Sequence, residues 1–392
     1  MRVGINVLPQ SPRVFDGALS QFLQMGEMLP GIDQETNYVL LAGGADVEYY
    51  RQRTRVDEVI DAGTSDRGIL LRIASEHFLL GRACKRNGVD VLFYQSAGAV
   101  PLLLPKDVKV VLAVWGAQDP ASISLPWPKR LYRKLFNQRG LKRVSHLILN
   151  SNYTRELFEK RYSTKLPATV IHHGIDERLF HASVDPEADR AVVRNIGLHA
   201  PYVLFVGQAR HYKLLHVLVQ AFARAVSDKG LPHQLAVVAS FDKQHNRQGD
   251  TYRGQLLEML EARGLSDRAV FLQDIPVSQL RALYAGSDLY VQSSASETFG
   301  RTVIEAMACG APVLAARGGA TSEVLGQAGR YYEPNDVSGC ADAIAEILGD
   351  PQLRATLIAL GFDRVKRFSR TAELRQMANV FRVVAGQSPI KP

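Results

Sequence analysis

Glu297 and Glu305 stand eight residues apart, one in a glycine-containing loop and one inside the helix that follows it. The text around them, DLYVQSSASETFGRTVIEAMACGAPVLAA from Asp288 to Ala316, reads as strand, loop, helix and strand. Leu289 to Val291 is apolar and β-rich, and Thr302 to Cys309 carries helix formers that stop at Gly310, a residue suited to a left-handed cap. The first amides of such a helix lack intrahelical partners and lie at the positive end of its dipole. Around Gly300, Arg301, Thr302 and Val303 they would attract an anion. Carboxylates on either side accept hydrogen bonds from hydroxyls. A nucleotide-sugar, with a diphosphate between two sets of hydroxyls, fits this pattern. An isolated pair of acids could also do no more than cap and solvate a helix.

Other candidates lie elsewhere in the chain. In VGQARHYKLLHVLVQAF, Arg210 and Lys213 occupy the turn before an amphipathic helix. A departing nucleoside diphosphate gains negative charge, and fixed cations stabilise it where no metal does. In RVFDGALSQF, Gly17 would let the backbone approach a phosphate at a helix start. In VLAVWGAQDPAS, Gln118 and Asp119 could orient donor or acceptor hydroxyls, although Asp119 could equally cap the next segment. His172 and His173 in VIHHGIDERLF read as packed or capping residues. No HxxxH or cysteine spacing suggests a metal site.

Short apolar β-rich runs alternating with helical patterns must position these groups, which predicts parallel sheets with crossover helices. The first series is Arg2 to Val7, Tyr38 to Gly43, Val91 to Ser96, Val108 to Trp115, His146 to Ser151 and Thr169 to Gly174. Asp176 to Ala200 is polar and reads as a linker. A second series follows at Tyr202 to Gly207, Gln234 to Ala239, Ala269 to Asp274, Leu289 to Ser294 and Pro312 to Ala316. Ligands of such sheets bind at the carboxyl ends of the strands.

From Glu297 to Val313 the chain resembles the retaining GT-B glycosyltransferases of the family 4 type, the glycosyl transferases group 1. In that family two Glu separated by seven residues run into text like EAMACGAPV. The resemblance implies an α/β fold of two doubly wound, Rossmann-like parallel-sheet domains facing a central cleft. Residues 1–185 would form the acceptor-side domain and 198–365 the nucleotide-sugar domain. A last helix at about 368–386, RTAELRQMANVFRVV, would cross back to the first.

The implied reaction moves a hexosyl unit from a GDP-mannose or UDP-glucose type of donor to a hydroxyl of a glycan or lipid-linked acceptor. The anomeric configuration is retained, and no metal or cofactor is required. Glu297 would take sugar hydroxyls, the amides of Phe299 to Val303 sugar and diphosphate, Lys213 the diphosphate and Glu305 the ribose, with Ile275 bordering the base. Glu297, Lys213 and Asp119 are the catalytic candidates. Three departures stand out: Gln208 replaces an Arg, with Arg210 two residues on; a single Gly17 follows Asp16 where two glycines are common; and the family's His near Trp115 is absent, which leaves the donor sugar open. Two alternatives are a GT-B epimerase, which needs no acceptor and against which the Glu297 to Val313 text argues, and a non-catalytic nucleotide-sugar scaffold.

With 392 residues, 46% hydrophobic and 22% charged, the composition suits two globular cores, and no apolar run approaches the ~20 residues of a spanning helix. The start, MRVGINVLPQ, reads as a buried strand rather than a signal peptide. Cys84, Cys309 and Cys340 fit reduced thiols, so a cytoplasmic location is expected. The net charge of +8 is uneven: Lys129, Arg130, Arg133, Lys134, Arg139, Lys142 and Arg143 cluster between Ser122 and His146 without an acid. Interleaved Leu131, Tyr132, Leu135 and Phe136 make this segment amphipathic, suited to the anionic inner face of a membrane or to a phosphate-bearing acceptor. The pattern also fits a solvated helix face, and no nucleic-acid module accompanies it.

Overall fold

A computed structural model describes residues 1–10, 17–64, 75–96, 100–101, 103–116, 139–199, 201–241 and 249–390. Strands covered on both faces carry near-continuous apolar runs, and the runs in the sequence become such strands. In the first unit they are β1 Arg2–Asn6, β2 Asn37–Ala42, β3 Glu58–Asp61, β4 Val91–Gln95, β5 Lys109–Val114, β6 Val144–Leu149 and β7 Ala168–Val170. They pair in parallel in the order β3-β2-β1-β4-β5-β6-β7. The second unit holds β8 Tyr202–Gln208, β9 Gln234–Ser240, β10 Ala269–Leu272, β11 Leu289–Gln292, β12 Val313–Ala316 and β13 Gly329–Tyr332. These are also parallel, ordered β10-β9-β8-β11-β12-β13. Strands β3 and β13 are additions to the sequence reading. Both are edge strands with little apolar text: Glu58 and Asp61 flank Val59 and Ile60 in β3, and Gly329 and Arg330 open β13.

The first unit comprises Met1–His172 with Thr371–Pro392, and the second His173–Arg370. The last helix, Arg370–Val384, lays Leu374, Met377, Ala378 and Phe381 into the first core, where Phe381 meets Phe93 edge-on at 5.6 Å. Arg382 then bonds Asp33 (3.1 Å), Glu35 (2.8 Å) and the Ser388 carbonyl (2.6 Å). Asp33 is buried and also accepts from Thr36 and Tyr38. Removing the cation leaves a buried carboxylate short of its partner. Arg382→Ala is therefore expected to lower the melting temperature by several degrees, with Arg382→Lys recovering part of the loss in a thermal denaturation series.

The stretch read as a linker contains a helix, Pro186–Asn195. Asp185 caps it by accepting from Glu187 and Ala188 N–H (3.1 and 3.0 Å), Pro186 sits in the first turn, and Asp189 pairs with Arg281 of the helix Val277–Ala285. Its apolar face is short, and that hid the pattern. Trp115, beyond β5, packs on Phe22 and Phe93 (6.1 and 5.9 Å) and gives its carbonyl to Asn150. The three cysteines are buried and unpaired, and burial pushes each thiol up to about 12, well above the reactive range.

Candidate functional site

In the second sheet the connection order reverses between β8 and β11, and such a switch point opens a crevice at the strands' carboxyl ends. The turn His211–Lys213 leaves β8 on one side of it, and the loop after β11 forms the other. Two hydrogen bonds join them: Ser293 Oγ donates to the Lys213 carbonyl (2.5 Å), and the Ala295 N–H donates to the Tyr212 carbonyl (2.9 Å). Leu214, left-handed at φ 48°, then turns the chain into the helix Leu215–Lys229.

This geometry carries the Lys213 ammonium to Glu297 Oε1. Ser294 Oγ (2.8 Å) and Gln292 Nε2 (3.2 Å) donate to the same oxygen. The pair is 13% and 12% exposed, largely shielded from solvent. Burial opposes the lysine's charge, but the facing Glu297 carboxylate outweighs it and holds the Lys213 pKa above its ordinary value. Lys213 is thus a permanent cation at neutral pH.

The Glu297 loop is clamped from behind. Ala320 N–H donates to the Glu297 carbonyl (2.7 Å), and Gly318 and Gly319 lie directly against the loop backbone. A Cβ on Gly319 would collide with the Glu297 carbonyl oxygen and stand 2.5 Å from its nitrogen, and one on Gly318 would collide with the Ala295 carbonyl. On the other side, Gly300 has φ 95° and caps the helix Arg301–Cys309. The loop therefore ends with a left-handed residue that turns it into the helix start.

Glu305 lies inside that helix, 9% exposed, and accepts from Tyr284 Oη at 3.1 Å. Burial raises its pKa, with Arg301 and the Tyr284 hydroxyl pulling the other way. Burial, reinforced by Glu305, also pushes the Tyr284 hydroxyl well up, so it stays a donor. A carboxyl whose folded pKa is raised favours folding most when protonated. That advantage is full below its unfolded value of about 4 and is lost as pH rises through the folded one. Glu305→Gln should therefore raise the melting temperature at pH 7, with the gain vanishing near about pH 4.

Of the amides read as anion donors, that of Val303 is already bonded to the Gly300 carbonyl (3.0 Å), a tightened first turn that corrects the sequence reading. Phe299 is buried edge-on against His173 (5.0 Å) and Phe368 (6.0 Å), which makes His173 a packing residue. Arg210 lies close enough for its charge to bear on Lys213, whereas Gln208 ends β8 exposed to solvent. Half-buried Ile275 precedes the helix Val277–Ala285, packed on the second core. In the first unit, Gly17 opens the helix Gly17–Ile32.

Asp16, Gln118, Asp119, Lys129, Arg130, Arg133 and Lys134 lie outside the described residues. Arg139 and Lys142 are exposed, but Arg143 is spent on the carbonyls of Pro105 (2.6 Å) and Leu104 (3.3 Å) of its own unit. Among the described residues no three His, Cys, Asp or Glu side chains gather as a metal ligand set, and no helix is long and apolar enough to cross a membrane. Gln292, Ser294, Tyr284 and the Gly318–Gly319 pair were not singled out in the sequence. A polar residue closing an apolar strand and paired glycines after the next strand were the available signals.

Two Rossmann-like parallel-sheet domains define the GT-B fold, and solved structures share it over nearly the whole chain. A glycosyltransferase from Rickettsia africae aligns with a TM-score of 0.77 at 18% identity, covering 99% of each chain. Anabaena HepE, solved with UDP and glucose, aligns at 0.75 with 21% identity, covering 97% of this chain and 99% of that one. Two family models match, Glycosyltransferase Family 4 over residues 32–179 and Glycosyl transferases group 1 over residues 190–363. The chain belongs to the family 4 type of GT-B glycosyltransferases.

Among curated relatives, D-inositol 3-phosphate glycosyltransferase of Corynebacterium glutamicum is 32% identical over 54% of this chain and 51% of its own. The lipopolysaccharide core biosynthesis mannosyltransferase LpcC of Rhizobium leguminosarum is 30% identical over 54% and 57%. The chain thus spans about half the length of these curated relatives.

Proposed function

We propose that the chain is a retaining, metal-independent hexosyltransferase, moving a sugar from a nucleoside diphosphate to a hydroxyl of a glycan or lipid-linked acceptor. The observation that carries this reading is the meeting of Lys213, Glu297 and the start of the helix Arg301–Cys309 at the β8–β11 switch point. A mannosyltransferase and an inositol phosphate glycosyltransferase among the relatives support the transfer class. The helix amides and Lys213, with the charge of nearby Arg210, take the diphosphate, Glu297 takes sugar hydroxyls, and Glu305 takes the ribose.

As the bond between anomeric carbon and phosphate oxygen breaks, Lys213 offsets the charge growing on the leaving group. The acceptor oxygen bonds to the same face of that carbon, and its proton passes to the departing phosphate. Positioning and charge stabilisation supply the catalysis. The basic segment, in which Arg139 and Lys142 are exposed, would suit an anionic membrane surface on the cytoplasmic side or a phosphate-bearing acceptor. Proton NMR of UDP-glucose and GDP-mannose incubated with the protein tests the reading. Transfer or slow hydrolysis with the anomeric configuration kept is expected. Unconsumed donor would indicate a binding protein, and an altered sugar still on its nucleotide an epimerase.

A further inference from the structure

Gln292 ends β11 after Leu289, Tyr290 and Val291 and is 0% exposed. A buried amide is costly unless its polar atoms are matched. Its Nε2 donates to Glu297 Oε1 (3.2 Å) and Thr302 Oγ1 (3.4 Å), whereas its Oε1 has no hydrogen-bond partner among the described residues. The opposite amide orientation would set an oxygen against the Glu297 carboxylate, so that acid fixes which way the amide faces. Met or Leu would fill a similar volume without an orphaned oxygen, and packing alone therefore does not account for the amide.

We propose that Gln292 is a positioning residue for sugar transfer, fixing the Glu297 carboxylate relative to the first turn of the helix Arg301–Cys309. The inference rests on the glycosyl-transfer reading above. Of the three donors on Glu297 Oε1, Lys213 carries a charge that an incoming diphosphate competes for. Gln292 and Ser294 are neutral and feel no such pull. They keep Glu297 in place while the lysine turns to the diphosphate, and Gln292 alone among them also bonds Thr302.

Full-length Gln292→Met and Gln292→Leu test this, with UDP, GDP, UDP-glucose and GDP-mannose as probes. Melting temperatures at or above that of the parent are expected, because the orphaned oxygen is gone. Affinity for the bare diphosphate should stay within about twofold while kcat on the conjugate falls roughly ten- to a hundredfold. The parent's preference for the intact sugar over a deoxy-sugar conjugate should shrink, which a merely structural residue would not cause. Equal losses for diphosphate and conjugate, unchanged kinetics, or a lowered melting temperature in both variants would overturn the proposal. If the parent turns over its donor while the Gln292 variants match it, only Gln292's role fails. A parent that processes neither conjugate overturns the glycosyl-transfer reading as well.

Discussion

Replacing Lys213 with alanine is expected to lower donor turnover about a hundred- to a thousandfold, the scale on which a lost charge-stabilising group acts. The lysine is nearly enclosed, is held charged by Glu297, and stands at the strand ends where the diphosphate would lie. In the proposed reaction its removal takes a cation from the leaving group, and it strips Glu297 of its ion-pair partner, leaving only the neutral donors Ser294 and Gln292. Lys213→Arg should not restore full activity, since a planar guanidinium cannot occupy an ammonium's position without shifting the turn that Ser293 and Ala295 fasten. Steady-state kinetics on the conjugate that the parent consumes would check both variants.

Gly319→Ala is expected to act on fold and function together. At φ 60° an alanine is strained by about 1–2 kcal/mol. The collision with the Glu297 backbone adds overpacking of about 1–3 kcal/mol. A loss of about 2–5 kcal/mol in denaturant unfolding follows from these two terms together. Moving the Glu297 loop even slightly displaces the carboxylate, and misplacement on the order of 1 Å can cost about a hundredfold in rate. Full activity in Gly319→Ala would show that the Glu297 position is not critical.

The apolar strand runs were legible because parallel strands buried on both faces leave continuous hydrophobic text, and the helix Arg301–Cys309 because Gly310 closes it. Edge strands β3 and β13 left no such text. The helix Pro186–Asn195 had a cap, Asp185, and a first-turn Pro186, but its one-sided apolar pattern is short. At the site, Glu297, Lys213 and Glu305 stood out by residue type and by resemblance. Their partners did not, because contacts across the sheet carry no local mark. Lys213 meets Glu297 across 84 positions of sequence, and Tyr284 reaches Glu305 from a different helix. Gly319 reads as one half of an ordinary turn until the backbone behind it is seen.

Thermal melting of the purified chain and of Lys213→Ala, each against UDP, GDP, ADP and their sugar conjugates, tests the central claim most directly, because a ligand that binds only the folded state raises its melting temperature. A nucleoside diphosphate sugar bound at the Lys213–Glu297 site predicts a rise for one base in the parent, largely lost in Lys213→Ala. No rise with any of them, or a rise undiminished in Lys213→Ala, would contradict it.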